Sequence, residues 1–561
     1  MNNNDLVAKL WKMCDNLRDG GVSYQNYVNE LASLLFLKMT EETGQEDDLL
    51  PQGMRWADLK SKIGLEQLQF YRSLLVKLGA DEHAIVRAIF QNVNTTITNA
   101  GQLTELVTTM DGLDWYESGA GENVVKTRDD FGDMYEGLLQ KNANETKSGA
   151  GQYFTPRPLI ETMVRLLQPQ PREIIQDPAA GTAGFLIEAD KYIKSQTNDL
   201  DDLDDDTQTF QMTKAFVGVE LVPETRRLAL MNCLLHDIEG NSDVGGAIRL
   251  GNSLGNDGEN LPSANVILSN PPFGSASSTN ITRTFVYPTS NKQLCFMQHI
   301  YNGLEPGGRA AVVIPDNVLF EAGVGTSIRR DLMDKCNLHT ILRLPTGIFY
   351  AAGVKTNVLF FQKGTPQNPN QDKDCTTDTW VYDLRTNMQT FGKRSPFTEK
   401  YLTSFEQAYN PVGWALAQKT KADAAKQENV GQDLSRQNNL DEMLNARQEG
   451  VYNILGCTTS VDDAAEKIAE NGRWRKFSRD YIRDKGDSLD ITWLKDNSIT
   501  DAANLPEPDV LATEAMTELT EALREMNQLM INLGASDQAE GQVALLAEEF
   551  GLEKKIVEGT E

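Results

Sequence analysis

A chain of 561 residues, 40% hydrophobic and 24% charged, has a globular composition and is too long for one ordinary core, so about two or three domains are expected. No apolar run approaches the ~20 residues that span a bilayer, and the start, Met1-Asn2-Asn3-Asn4-Asp5, lacks the charged and apolar regions of a signal peptide. A formal net charge of −28 opposes a phosphate backbone, so any role on nucleic acid needs something else to bring the chain there; the charge by itself speaks only for solubility.

The six cysteines (Cys14, Cys233, Cys295, Cys336, Cys375, Cys457) have no paired spacing. That speaks against a disulfide framework or a zinc site and fits a reducing cytoplasm. The four histidines are far apart in sequence, which argues against a histidine-rich metal site, and no metal is expected.

Residues from about Asp5 to Gln140 read as helical. Tyr24 to Glu42 carries Tyr27, Leu31, Leu34, Leu35 and Met39 at helical spacing, and Leu65–Leu78, Glu82–Phe90 and Phe131–Leu139 repeat the pattern. No catalytic spacing is visible there, and a helical cap or interaction domain is the plain reading. A glycine-bearing loop follows, Gly149-Ala150-Gly151-Gln152-Tyr153-Phe154-Thr155-Pro156-Arg157-Pro158. Two adjacent aromatics are unusual in a linker. Its prolines lead into an amphipathic helix, Leu159 to Leu167.

Next comes a βαβ unit. Glu173 to Asp177 reads as a strand, Pro178-Ala179-Ala180-Gly181-Thr182-Ala183-Gly184-Phe185 as a turn entering a helix, and Ala215 to Glu220 as a second strand ending in an acid. In a doubly wound fold that acid is placed to hold ribose hydroxyls. The turn lacks the dinucleotide glycine fingerprint, and Asp177 precedes it. An acid there repels a pyrophosphate and suits an ammonium group, so the ligand inferred is a positively charged nucleoside without phosphate. S-adenosylmethionine meets that description. The acid-rich run Asp199 to Asp206 lacks the glycine and distal Glu of a calcium loop and reads as solvated surface.

An apolar helix, Pro223 to Leu235, precedes a third strand and turn from Ala247, with Asn252 near the ligand edge. Ala264 to Ser269 is a buried strand that ends abruptly at Asn270-Pro271-Pro272-Phe273, since neither proline donates to a ladder. The Asn270 oxygen and the Pro271 carbonyl can each accept one N–H of an exocyclic amine, exposing its lone pair, while Phe273 stacks on a base drawn from its helix. Alone, the tetrad reads first as a capped Pro-Pro turn with a core Phe, because four residues recur by chance; the motifs upstream shift the reading. Strands at Gly307–Pro315, His339–Leu344 and Val354–Phe361, with an edge strand at Trp380–Leu384, complete a parallel or mostly parallel, doubly wound α/β sheet. Residues 414–471 have few large apolar side chains and read as a flexible insertion or loosely helical linker. Asp509 to Leu533 is a long helix and Asp537 to Phe550 another, a hairpin suited to a partner chain.

Together these motifs resemble the modification (M) subunits of type I restriction–modification systems, the EcoKI-type group in particular, over nearly the whole chain. The resemblance implies a Rossmann-like S-adenosylmethionine-dependent methyltransferase sheet with a helical N-terminal domain and a helical C-terminal tail. It implies transfer of a methyl group from S-adenosyl-L-methionine to N6 of adenine in double-stranded DNA. It also implies assembly of two copies of this subunit with one specificity (S) subunit, joined by restriction (R) subunits. By position, Gln152, Tyr153, Phe154, Thr155, Pro156, Arg157, Asp177, Gly181, Thr182, Ala183, Gly184 and Glu220 would bind the cofactor. Asn270, Pro271, Pro272 and Phe273 would hold the flipped adenine. Asn252 stands where an acid is common in the wider group. The division expected is 1–145 helical, 146–412 methyltransferase, 413–473 insertion or linker, and 474–561 a helical region for subunit association. The rival is a methyltransferase of a protein glutamine amide or an RNA base amine.

Overall fold

The computed structural model describes residues 7, 9–13, 24–113, 115, 132–139, 155–273, 281–349, 354–392, 395–409 and 472–494. All of them belong to one compact unit, Met1–Leu494. The expected contributions of Gln152, Tyr153 and Phe154, most of the 413–473 insertion and the helices of the C-terminal tail lie outside the described residues.

The N-terminal part is helical: α1 (Tyr24–Glu42), α2 (Gly64–Leu78), α3 (Ala84–Phe90) and α4 (Ala100–Asp111), with a further helical segment at 132–139. Asn99 starts α4 by accepting from the N–H groups of Gly101 and Gln102. Helix α1 is buried on every side from residue 30 to 40, so its polar groups need partners. Glu30 accepts hydrogen bonds from the hydroxyls of Thr95 (3.0 Å) and Thr96 (3.1 Å). Lys38 reaches Glu41, Glu42 and Asp111.

The rest folds as α/β. Strands β1 (Ile175–Asp177), β2 (Phe216–Glu220), β3 (Ile248–Leu250), β4 (Ala264–Ser269), β5 (Leu304–Pro315), β6 (Cys336–Arg343), β7 (Thr356–Lys363), β8 (Asp378–Asp383) and β9 (Trp474–Ser478) form one sheet, ordered β3-β2-β1-β4-β5-β7-β6-β8-β9. Strands β1 to β5 are mutually parallel, and β7 runs antiparallel between β5 and β6. Helices α5 (Arg157–Leu167), α6 (Gly184–Gln196), α7 (Asp205–Thr213), α8 (Pro223–Leu235), α9 (Lys292–Gly303), α10 (Val324–Lys335) and α11 (Thr403–Tyr409) complete the described elements used below.

Two expectations change. The strand after residue 378 is not an edge, because β9 pairs along it antiparallel from Asp378↔Ser478 to Tyr382↔Trp474, with the Trp380 and Trp474 rings stacked 5.0 Å apart. Residues 474–494 therefore belong to the sheet unit rather than to a C-terminal helical region. The boundary at 145 does not separate two cores either. Helix α8 is apolar on both faces; it packs on α1 and α3 on one side and on β2 and β3 on the other. One continuous hydrophobic cluster thus runs from Leu31 through Leu228 to Tyr382.

Because β1, β2, β3 and β4 run parallel, their carboxyl ends share one edge of the sheet. Asp177, Glu220, the turn after Leu250 and Asn270 meet there, at the edge where open α/β sheets bind ligands.

Candidate active site

The turn after β1 is built tightly. Ala180 N–H donates to the Val219 carbonyl at 2.9 Å and Ala183 N–H to the Ala180 carbonyl at 2.8 Å. Gly181 and Ala183 both have positive φ, +53° and +70°; for alanine that conformation costs about 1 kcal/mol and persists because the turn is bonded on both sides. Gly218 on β2 makes room for it. A Cβ there would lie 2.5 Å from Ile248 and 2.9 Å from the Ala180 Cβ.

Among the described residues, two acids face this turn without a cation. Asp177 accepts from Ala179 N–H at 3.0 Å and from the Ser269 hydroxyl at 2.8 Å. Burial pushes its carboxyl up to about 7 against those two hydrogen bonds, and the Glu220 charge adds to the rise. Glu220 accepts from Gly181 N–H at 3.0 Å and Val222 N–H at 2.8 Å; burial raises it as well. Backbone N–H groups and the Ser269 hydroxyl hold both acids in place but neutralise neither.

The tetrad closes the other side. Asn270 is 7% exposed. Its Nδ2 donates to the Thr155 hydroxyl at 3.0 Å, joining segments 115 residues apart, and its Oδ1 is buried with no hydrogen-bond partner. Bonding Nδ2 to Thr155 leaves Oδ1 as the atom offered to a ligand. The carbonyl of Pro272 accepts from Gln293 Nε2 of α9 at 3.0 Å, fixing the turn from behind. Pro271 is buried and Phe273 half-buried.

Glu136, Leu139, Thr155, Arg157, Ile160, Asp177, Ala179, Ala180, Gly181, Thr182, Gly184, Phe185, Glu188, Asn232 and Asn270 line one cavity. It brings together Thr155, Asp177, Gly181, Thr182, Gly184 and Asn270 from the sequence reading. Ala183 is buried behind it, Glu220 reaches it through Gly181, and Pro156 caps α5. Arg157 differs from expectation. It borders the cavity, but its guanidinium is taken by Asp133 (3.1 Å), Glu136 (2.9 Å) and Glu161 (3.2 Å). It ties the segment 132–139 to α5. Lys191 joins Asp133 and Glu136. Asp133, Glu136 and His236 come within metal-ligand reach of one another, but these two cations already balance the carboxylates.

Three features escaped the sequence reading. Phe349 meets Phe273 edge-on, centroids 5.7 Å apart at 89°. Its loop is held where Arg385 donates to the Leu344 carbonyl and Phe391 N–H to the Thr346 carbonyl. Gly347 (φ +83°) allows this, since a Cβ would sit 2.0 Å from the Phe391 oxygen. Its only sequence signal is an aromatic a few residues past a strand, after Pro345 and Gly347. Asp257 accepts from Asn252 N–H at 2.9 Å, which puts an acid beside Asn252. Glu188 and Asn232 reach the cavity from two helices.

A family model described as N-6 DNA Methylase matches residues 126–446, and one described as Type I restriction enzyme methylase subunit, C-terminal domain, matches residues 505–548. The chain is similar to the type I restriction enzyme StySPI methylase subunit of Salmonella potsdam, 68% identical over 552 residues, covering 98% of this chain and 99% of that protein. It is 67% identical over 557 residues to the type I restriction enzyme EcoKI methylase subunit of Escherichia coli K12, again with 98% and 99% covered. The crystal structure of the EcoKI M protein superposes with a TM-score of 0.50 at 59% identity, over 97% of this chain and 99% of that one.

Proposed function

Since the chain belongs to the type I restriction enzyme methylase subunits and is an adenine-specific DNA methyltransferase, we propose that it methylates N6 of adenine, using S-adenosylmethionine, at sites chosen by a specificity subunit. The observation that carries the reading is the buried, unpartnered Oδ1 of Asn270, at the same sheet edge as two acids that lack a cation. A buried acceptor left unmet is costly and persists where a ligand meets it.

The donor when bound supplies a sulfonium methyl. Asp177, Glu220 and the 178–184 turn hold its nucleoside and its charge. The adenine leaves the duplex at a cost of a few kcal/mol. Phe273 stacks on it, and Phe349, packed edge-on behind, fixes that ring. Asn270 Oδ1 accepts a hydrogen bond from one N6–H and the Pro271 carbonyl from the other, which exposes the nitrogen lone pair. Rate comes from positioning and exclusion of water. The surplus proton leaves N6 after transfer, to solvent. Two copies of this chain with one specificity subunit, and restriction subunits for cleavage, form the expected cytoplasmic assembly. None of the helices among the described residues is long and apolar enough to cross a membrane.

The test is transfer of a labelled methyl group to unmethylated duplex DNA by the chain alone and with its specificity subunit, followed by nucleoside analysis. N6-methyladenine formed only with the partner is the expected result. Label appearing in RNA or in a protein amide instead of DNA would overturn the reading.

A further inference from the structure

The cavity holds two acceptors that the mechanism above leaves unused. Glu188 lies three residues after Phe185 and four after Gly184 on α6, a neighbour of each along the helix, and all three line it. Among the described residues Glu188 makes no hydrogen bond and no ion pair. It is unlike Glu136 on the same wall, which Arg157 holds at 2.9 Å and Lys191 at 3.5 Å. From α8, Asn232 is 1% exposed; its Nδ2 donates to the Thr182 carbonyl at 3.1 Å, and its Oδ1 is buried without a partner. One carboxylate and one amide oxygen therefore border a single cavity with nothing to bind.

We propose that Glu188 and Asn232 form the seat for the α-ammonium of the methyl donor's amino-acid end. This rests on the S-adenosylmethionine reading and extends it to residues outside the recognised motifs. An ammonium carries three N–H donors and one positive charge, which matches a carboxylate and an orphaned amide oxygen. The nucleoside end belongs at Glu220 and the reacting sulfonium methyl between Asp177 and Asn270, so the amino-acid end is the part left for this wall, and the ammonium that the sequence reading matched to Asp177 is assigned to Glu188 instead. Burial pushes the Glu188 carboxyl up to about 7, with Glu161 and Glu136 repelling it and Arg157 and Lys191 opposing them. Those two cations are committed to Asp133, Glu136 and Glu161. A ligand cation would complete the balance. The same charge turns the donor's α-carboxylate away from Glu188.

The test is calorimetric titration of the full chain with S-adenosylmethionine and with 5′-methylthioadenosine, which lacks the amino-acid end. The unaltered protein should prefer S-adenosylmethionine. Glu188→Gln should weaken S-adenosylmethionine roughly ten- to hundredfold, the range for a charge-assisted hydrogen bond, and leave 5′-methylthioadenosine unchanged. Asn232→Ala should narrow the same preference, read as a ratio of affinities within one preparation so that a fold defect does not bias it. If the unaltered protein prefers S-adenosylmethionine and Glu188→Gln keeps the full preference, the seat is wrong and the methyl-donor reading stands. If Glu188→Gln weakens both ligands equally, Glu188 serves the fold and the seat is again wrong. If the unaltered protein binds neither ligand, both readings fall.

Discussion

Among the described residues Asp177 and Glu188 form no ion pair, and burial pushes each carboxyl up to about 7. Their pKa values in the folded chain lie above the ordinary 3.8 and 4.5, so folding favours the protonated forms. That contribution to stability is fully present below about pH 4 and is lost as pH rises through about 7. A bound cation reverses the preference, because it favours the ionised acids. S-adenosylmethionine should therefore bind more tightly as pH rises from about 6 to about 8, with protons released near pH 7. Titration in buffers of different ionisation enthalpy reads both quantities; an affinity flat across that range with no proton release would contradict the account. The sequence shows Asp177 and Asn270 because the chemistry is local: an acid before a glycine turn, and an amide before two prolines. It hides Glu188, Asn232 and Phe349. Each looks like an ordinary helix or loop residue until packing brings distant segments to one cavity.

At the scale of elements, Arg157 is the joint between the helical part and the sheet. Its pairs with Asp133 and Glu136 hold the segment 132–139 against α5, and that segment supplies Glu136 and Leu139 to the cavity wall. The groups are partly exposed, so Arg157→Ala should cost about 1–2 kcal/mol rather than the larger loss of a fully buried pair. Hydrogen exchange at 132–139 should accelerate selectively, and S-adenosylmethionine should bind less tightly. Unchanged protection of those amides would show that Arg157 is not the joint. Helix periodicity and strand runs were legible here, and most elements lie within a few residues of their expected bounds. The sheet's last pairing was not. Strand β9 joins β8 across residues 384–473, and such non-local pairing leaves no mark in the periodicity of either strand. The shared core was also missed, because a helix apolar on both faces looks the same whether it bridges two layers or lies within one.

For the whole molecule, charge and architecture point the same way. A net charge of −28 opposes a phosphate backbone, so in the proposed assembly the specificity subunit would supply much of the DNA affinity. This chain then contributes an edge of the sheet where, among the described residues, two unpaired acids and an unmet amide acceptor sit together. The claim at the centre is that Asn270 Oδ1 acts on the adenine amine and not on the fold or the donor. The direct measurement is the rate of N6-methyladenine formation by Asn270→Ala in the complex with the specificity subunit, with donor affinity measured on the same sample. The account predicts a fall of at least about a hundredfold, as for loss of one preorganised hydrogen-bonding group in an active site, with donor affinity within about threefold of the unaltered complex. A near-normal rate in that variant would contradict it.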